Sequence, residues 1–535
     1  VAGGPYAHFS DSMKHFTITF EPDDRQISVH AGATVAEAAA KAGIILNGAC
    51  GGRGLCGKCE VMLADGTKVL ACQKRVDGDL SVTVPAALRF YERKVLAGGP
   101  GFDGPAAGIK RGDGAAGLFG LAVDVGTTTV AARLIELAGG RCVAAKAFAN
   151  PQAGYGADVI SRIGHCRTHE GLLRLKRLVL DCVNELAEAC CRQAGIAAGD
   201  VVEVCVVGNT AMNHILRGLP VEQMGRAPFS AHRLEAEDIP AAELDIAVNP
   251  AANVHVAANI TGFVGADITA AALAVEMDRA ADHTMLLDIG TNGEIVLAAG
   301  GKLYAASCAA GPALEGAGIS CGSAAVEGAI ESVVLNGGDL EPDVIGRGPC
   351  RSICGSGLID AAAVLLETGL LGRDGRLGGG GGVPEGLGDS MTRRLIERDG
   401  QPAFVLAGGG SAGAEVVLTQ GDIRRLQLAK AAIRAGIMLL HRKTGNREED
   451  LDRVMLAGAF GNYIRIESAF RIGLLPDMEA EKVRFVGNAA CFGAQMMLVG
   501  RDWRRRAKRL ARGIEYVSIA EEDDFAEVFA KCMGF

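Results

Sequence analysis

The sequence predicts a small α+β domain followed by a much larger α/β domain made of two related lobes. Three observations predict it. A short alternating pattern, an apolar helix and a cysteine-rich loop crowd into the first 86 residues. The turn DVGTTT (124–129) follows an apolar strand and precedes another. The turn DIGTNG (288–293) repeats that design 164 residues later. Self-similarity at that distance points to an internal duplication.

Residues 1–14 read as a loose tail. From His15, FTITFEPDDRQISV alternates as a β-hairpin does, and ATVAEAAAKAGI then reads as a short helix capped by Thr34. The cysteine loop follows, then the strands EVML, KVLACQ and LSVTV, closing a unit at 15–86. Residues 87–117 are dominated by Gly and Pro and read as a linker. The expected division beyond it is 118–205 for a middle domain, the first lobe with the first turn, and 206–535 for a C-terminal nucleotide-binding domain. GLLRLKRLVLDCVNELAEACCRQAG is an amphipathic helix of about six turns, and VVEVCVVG is a buried strand. The run Gly378–Gly382 reads as a surface loop.

Composition narrows the function classes. The net charge is −9 and there is a single Trp, so a global nucleic-acid binder with stacking platforms is not expected. Gly is 75 of 535 residues while the apolar fraction is 49%, which fits many tight turns around a large core. No apolar run is long enough to span a membrane, and VAGGPYAHFSDSMKHF has no apolar signal core. Sixteen cysteines then imply a reducing compartment, the cytoplasm, where clustered cysteines bind metal rather than pair.

The cysteines that cluster are Cys50, Cys56 and Cys59, with Cys72 twelve intervening residues further on. Thiolates favour iron–sulfur clusters or zinc. Zinc sites of the two-knuckle type need two short C-x2-C pairs, and here there is one. Glycines 51, 52, 54 and 57 let the backbone wrap a large anion and aim N–H groups at its sulfurs. The loop with its hairpin and helix resembles the [2Fe–2S] ferredoxin domain, a β-grasp fold. The resemblance implies Cys50, Cys56, Cys59 and Cys72 as ligands, with a last interval shorter than usual. The other twelve cysteines read as core residues, and His165, Cys166 and His169 as a helix surface.

In each aspartate turn the carboxylate can orient hydrated Mg²⁺ while the following hydroxyl and N–H groups cradle phosphate oxygens. The first offers Asp124, Gly126, Thr127, Thr128 and Thr129; the second offers Asp288, Gly290, Thr291 and Asn292. Turns from two lobes can clamp a nucleotide triphosphate between them. The pair resembles the phosphate turns of the sugar kinase, Hsp70 and actin (ASKHA) superfamily, with two RNase H-like lobes. On that resemblance Gly458 and Gly461 of VMLAGAFGNYI hold adenosine. Gly355, Ser356 and Gly357 of RSICGSGLIDAA offer an anion or ribose contact at a helix start. A P-loop, an H-E-x-x-H pair and a dinucleotide fingerprint in the right strand–helix context are absent.

A ferredoxin module joined to such an ATPase resembles the reductive activators of corrinoid proteins. NPQAGYGADVISRI, GNTAMNHIL, TGFVGADI, GPALEGAGISCG and ICGSGLIDA match in family order. The resemblance implies that the chain uses ATP and Mg²⁺ to return a Co(II) corrinoid protein to Co(I) by one electron from its cluster. It further implies an upstream low-potential electron donor, a homodimer, and Asp124, Asp288 and a water-orienting Glu315 as catalytic residues. Two other readings stay open: an ATP-driven electron donor to a different enzyme, and a redox sensor or carrier scaffold without activity. The segment RDWRRRAKRLARG (501–513), with seven basic residues, reads as a solvated helix face or a dock for an acidic partner.

Overall fold

The computed structural model describes residues 14–21, 24–42, 59–84, 117–156, 158–281, 283–323, 325–336, 338–347, 349–378, 389–408, 415–458 and 464–535. Cys50, Cys56, Gly461, most of the Gly/Pro-rich linker and most of the glycine run lie outside them.

The N-terminal unit is a five-stranded sheet in the order β2-β1-β5-β3-β4. Its strands are β1 (His15–Glu21), β2 (Arg25–His30), β3 (Glu60–Leu63), β4 (Lys68–Leu70) and β5 (Leu80–Thr83). The hairpin register pairs Phe16 with Val29 and Ile18 with Ile27. Helix α1 (Val35–Lys41) covers one face, burying Val35, Ala38 and Ala39 against Ile18, Phe20, Val61 and Val82. The alternation read from the sequence is the alternation between this core and solvent. The unit rests on the C-terminal part of the chain, where His15 Nε2 lies 2.7 Å from Asp343 Oδ2.

Two six-stranded sheets follow. The first runs β10-β11-β9-β6-β7-β8, from β6 (Phe119–Val125), β7 (Thr129–Glu136), β8 (Arg141–Ala149), β9 (Val201–Gly208), β10 (Glu237–Pro240) and β11 (Asn253–Val256). The second runs β22-β21-β12-β13-β14-β23. It is built from β12 (Thr284–Ile289), β13 (Gly293–Ala299), β14 (Lys302–Cys308), β21 (Arg453–Ala457), β22 (Val483–Gly487) and β23 (Ile514–Tyr516); between them β15 (Ala329–Asn336), β16 (Asp339–Val344) and β17 (Ser352–Ile353) form one small sheet and β18 (Leu395–Arg398), β19 (Gln401–Ala407) and β20 (Val416–Thr419) another. Each sheet has an antiparallel meander, β6-β7-β8 or β12-β13-β14. Each continues from the meander's first strand into parallel partners, β9 and β11 or β21 and β22. The duplication read from the two turns is thus a duplication of topology.

The division expected at 205/206 is corrected. It would cut strand β9, which is buried along its whole length between β6 and β11. A strand paired on both sides cannot end a domain, so the first lobe runs on through β10 and β11.

Helices position the cleft between the sheets. The first lobe carries α2 (Val159–His165), α3 (His169–Ala194) and α4 (Thr210–Arg217). Helix α3 spans 26 residues, capped by Thr168 at its start and by left-handed Gly195 at its end. Helix α5 (Ala266–Ala274) and helix α8 (Ala489–Val499) are apolar all round and cross between the lobes. A Cβ on Gly493 would lie 2.0 Å from the Ala270 carbonyl oxygen, so the two backbones touch there. Their core joins Ala122 and Cys205 of the first sheet to Leu286, Val296 and Met455 of the second.

Helix α9 (Arg501–Gly513), the basic segment, divides its charges. Arg504 reaches inward to fully buried Glu203 at 2.6 Å, and Arg506 pairs with Asp278 and Glu276. Arg501, Arg505, Lys508, Arg509 and Arg512 are exposed. Two of the seven therefore hold the helix to the first lobe. Helices α6 (Gly355–Glu367) and α7 (Gln420–Thr444) belong to the second lobe. Among the described residues no helix is long and apolar enough to cross a membrane.

Candidate functional site

The register that pairs β6 with β7 and β12 with β13 places Asp124 and Asp288 at equivalent positions. Asp124 faces Ala131 on one side and Val207 on the other; Asp288 faces Glu294 and Ala457. Both carboxylates sit where strands end, at the mouth of a cleft between the lobes. The cleft is open to solvent, with a cavity volume of about 140 Å³. Gly126, Thr127, Thr128 and Thr129 line it from one side, and Gly290, Thr291, Asn292 and Gly458 from the other.

The two turns meet. The hydroxyls of Thr128 and Thr291 lie 3.0 Å apart, and each also donates to the same oxygen of Glu315, at 3.0 and 2.5 Å. Glu315 thus stands where both turns converge. Gly458, at φ +91°, closes the back: a Cβ there would lie 2.6 Å from Asp288 Oδ1 and 2.6 Å from the Ile289 oxygen.

Four further polar residues that the sequence reading did not single out line the same cleft: Asn209, Asp267, Glu294 and Asn488. Asp267 stands in the first turn of α5. That helix start is held by Asn259, whose Oδ1 accepts from the Ala266 N–H and from Asn213. Asn488 donates to Asp124 Oδ2 at 3.0 Å from the far end of β22. Glu294 had a local signal: six residues after Asp288 across a tight turn, it is the cross-strand partner. The others come from elements distant in sequence and had none.

Five carboxylates therefore share one cleft, and each resists ionisation. Burial raises Asp288 to about 8, helped by the charges of Asp267, Asp124 and Glu315. Burial and then Asp267 raise Asp124 to about 7, against the Asn488 hydrogen bond. Asp267 is raised to about 6 by burial, against N–H groups at the helix start. Burial also raises Glu294 and Glu315; the threonine hydroxyls oppose the rise at Glu315. Such crowding is relieved by a cation. Among the described residues no three acidic, histidine or cysteine groups close up enough to cage a metal ion. That donor set fits Mg²⁺ held by one or two carboxylates, waters and phosphates.

Gly355, Ser356 and Gly357 are not brought to the cleft. They are buried at the start of α6, where the Ser356 hydroxyl is spent on the Glu331 carbonyl and Gly357 packs on Ile330 of β15 (Ala329–Asn336). Gly357 serves close packing there, and the anion or ribose contact expected of the three is no part of this cleft. His165 stacks on Tyr155 with ring centroids 4.9 Å apart, Cys166 is buried and His169 is exposed at the start of α3, so these three form no ligand set.

In the N-terminal unit the β3–β4 hairpin has Cys59 just before its first strand and Cys72 two residues after its second. Their sulfurs lie 3.2 Å apart, with Cys59 buried and Cys72 half-buried. Two thiolates on one tetrahedral metal stand roughly 3.7 Å apart for bonds of ~2.3 Å. The twelve-residue interval is thus a hairpin's length of chain that returns the last cysteine to the third. The residues present fit one half of a binuclear cluster site.

Comparison with known proteins agrees with both halves. Residues 18–80 match the 2Fe-2S iron-sulfur cluster binding domain, 119–280 the RACo middle region, and 282–535 the C-terminal domain of RACo, the ASKHA domain. The chain is 34% identical over 416 residues to the corrinoid activation enzyme RamQ of Eubacterium limosum, covering 77% of this chain and 69% of that one. It is 25% identical over 426 residues to the [Co(II) methylated amine-specific corrinoid protein] reductase of Methanosarcina barkeri, covering 71% and 70%. A solved structure titled a reductive activator for corrinoid,iron-sulfur protein superposes with a TM-score of 0.74 at 29% identity, covering 97% of this chain and 98% of that one. An N-terminal [2Fe–2S] domain, a RACo middle region and an ASKHA C-terminal domain in one chain place this protein in the RACo family of corrinoid-protein activators.

Proposed function

We propose that this enzyme is an ATP-dependent reductive activator that returns the Co(II) corrinoid of a methyltransferase-system protein to Co(I) by one electron. The observation that carries the reading is the convergence of Thr128 and Thr291 in a cleft of five carboxylates. That cleft shares its chain with a paired-cysteine ferredoxin unit.

Asp124 and Asp288, on opposite lobes, orient the waters around Mg²⁺. Turn N–H groups and the hydroxyls of Thr127 to Thr129 and of Thr291 hold phosphate oxygens. Glu315 gives up its two threonine hydroxyls to the phosphate and is freed to orient the attacking water. Gly458 and, with it, Gly461 border the adenosine. Cys50, Cys56, Cys59 and Cys72 hold the cluster. When bound, Mg²⁺ neutralises phosphate charge, and the cluster holds and passes one electron.

Uphill one-electron transfer costs about 1.4 kcal/mol for each ~59 mV. Phosphate that bridges two turns on two sheets draws the lobes together, and a closed state with its own affinity for the corrinoid partner couples hydrolysis to that step. An upstream low-potential donor and a second copy of the chain complete the proposed assembly, in the reducing cytoplasm.

The test is anaerobic. Cluster-loaded protein, reductant and a Co(II) corrinoid protein are mixed with or without Mg·ATP, and Co(I) absorbance is followed. Growth of Co(I) only with ATP, lost in Cys59→Ala and in Asp288→Asn, is the expected result. ATP turnover without Co(I) across several corrinoid proteins would assign the electron to a different acceptor. Absence of turnover would overturn the reading in favour of a scaffold.

A further inference from the structure

The stretch NPQAGYGADVISRI (150–163) contributes nothing to the cleft lining, yet it is built of buried polar groups. Asn150 is 1% exposed, Gln152 0% and Arg162 0%. Arg162, on α2, donates Nε to the Gly156 oxygen at 3.0 Å. Its Nη1 reaches Gln152 Oε1 at 3.2 Å and the Met212 sulfur at 3.3 Å. Nη2 reaches the Thr127 oxygen at 2.6 Å. All these partners are neutral. Burying a guanidinium without a counter-charge is costly.

The contacts converge on the first turn. The Asn150 N–H donates to the Thr128 oxygen at 2.8 Å and its Nδ2 to the Gly126 oxygen at 2.9 Å. With Arg162 on Thr127, three successive carbonyls are bound from behind. In a trans peptide the C=O of one residue and the N–H of the next point in opposite directions. The N–H groups of Thr127, Thr128 and Thr129 are thereby turned away from the brace, and these residues line the cleft. Among the described residues no lysine or arginine lines that cleft, while five carboxylates do.

We propose that Arg162, with Asn150, is a positioning residue for the nucleotide phosphates, fixing three N–H groups of the first turn toward them and supplying positive charge from behind the turn. The inference rests on the reading that the cleft binds Mg·ATP. The phosphate then adds a counter-charge to a guanidinium whose hydrogen-bond partners are all neutral. Burial lowers its pKa only to about 10, and Asp158 favours the charged form, so it stays a cation at neutral pH. Asp158 itself is engaged by the N–H and hydroxyl of Ser161.

The test is calorimetric titration of the full-length, cluster-loaded protein with Mg·ATP, Mg·ADP and adenosine. Arg162→Met keeps length and removes charge and fork; Arg162→Lys keeps charge alone. A hydrogen bond to a charged group is worth about 1.5–3 kcal/mol, so loss of one predicts roughly 10- to 150-fold weaker ATP binding in R162M. Adenosine affinity is expected to stay within about twofold, and R162K to recover part of the loss, a pattern general damage would not give. Equal weakening of ATP and adenosine, or none, would overturn the inference. If R162M fails to fold, Asn150→Ala carries the test with the same phosphate-selective loss. An unmutated protein that takes no ATP would instead bring down the nucleotide reading itself, and with it this one.

Discussion

The two aspartate turns share a sequence pattern and a strand register but not a support. The first is held from outside: Asn150 and Arg162 bind its three carbonyls. The second holds itself. Its Gly290 N–H donates to the Asn292 oxygen at 2.9 Å, and the Asn292 side chain acts on Glu294 across the hairpin. Behind it stands the backbone of Gly458. A duplicated element has thus kept its chemistry and changed its scaffolding. One turn is braced by a buried cation; the other is packed against a neighbouring strand and crowded by anions.

Breaking the chemistry should have the largest effect and strike both turns. Asp124→Asn and Asp288→Asn are each expected to lower ATP turnover by about 10²–10³-fold, as loss of a charge-stabilising group does, read by steady-state phosphate release. The two should separate in stability. Asp288 carries the higher pKa and three acidic neighbours, so Asp288→Asn is expected to raise the Tm of the nucleotide-free protein more than Asp124→Asn does.

Glycine substitutions sharpen the contrast next. A Cβ at Gly126 would meet the Thr129 oxygen at 2.6 Å, whereas at Gly290 the nearest atom is 3.7 Å away. Gly126→Ala should destabilise by about 1–3 kcal/mol and Gly290→Ala by no more than about 0.5 kcal/mol, both read by chemical denaturation. Gly458→Ala, strained in φ as well, should behave like the first.

Titration of the shared carboxylates comes third. Their folded pKa values lie above the ordinary 3.8, reaching about 6, 7 and 8. Their contribution to stability is therefore complete below pH ~4 and is lost as pH rises through 6 to 8. The nucleotide-free protein should melt at lower temperature across that window. Mg·ATP needs the ionised groups, so its Tm increment should grow over the same range. A flat increment from pH 6 to 8 would refute this assignment.

The smallest effect concerns the contacts of Thr128 and Thr291 with Glu315. Thr128→Val or Thr291→Val each removes one hydroxyl from Glu315, worth about 0.5–1.5 kcal/mol. Because the hydroxyls also touch each other, the double variant should cost less than the sum, by denaturation in a double-mutant cycle.

What could be read beforehand followed locality. Asp124 and Asp288 were legible because strand, turn and carboxylate are contiguous, and the hairpin and helix of the N-terminal unit were legible for the same reason. Asp267 and Asn488 were not, because a helix start and a strand end reach the cleft only through the crossing of α5 and α8. Gly355 to Gly357 stand outside the cleft because glycine before a helix serves packing as readily as anion binding, and the Ser356 hydroxyl is engaged with Glu331. Arg162 was invisible for a related reason. An arginine in a helical pattern reads as surface until the turn it braces is in place. The boundary at 205/206 failed because a parallel strand's partner lies some fifty residues later in the chain.

The contact between Gly493 and Ala270 sets a mechanical limit on the molecule. Two helices that touch backbone to backbone, inside a core common to both sheets, cannot be pulled apart without opening a void. They can turn about the point of contact. The contact is therefore a fixed point between the two lobes. A methyl group at residue 493 would force the two helices apart, and with them Asp267 and Asn488, which reach the cleft from their starts.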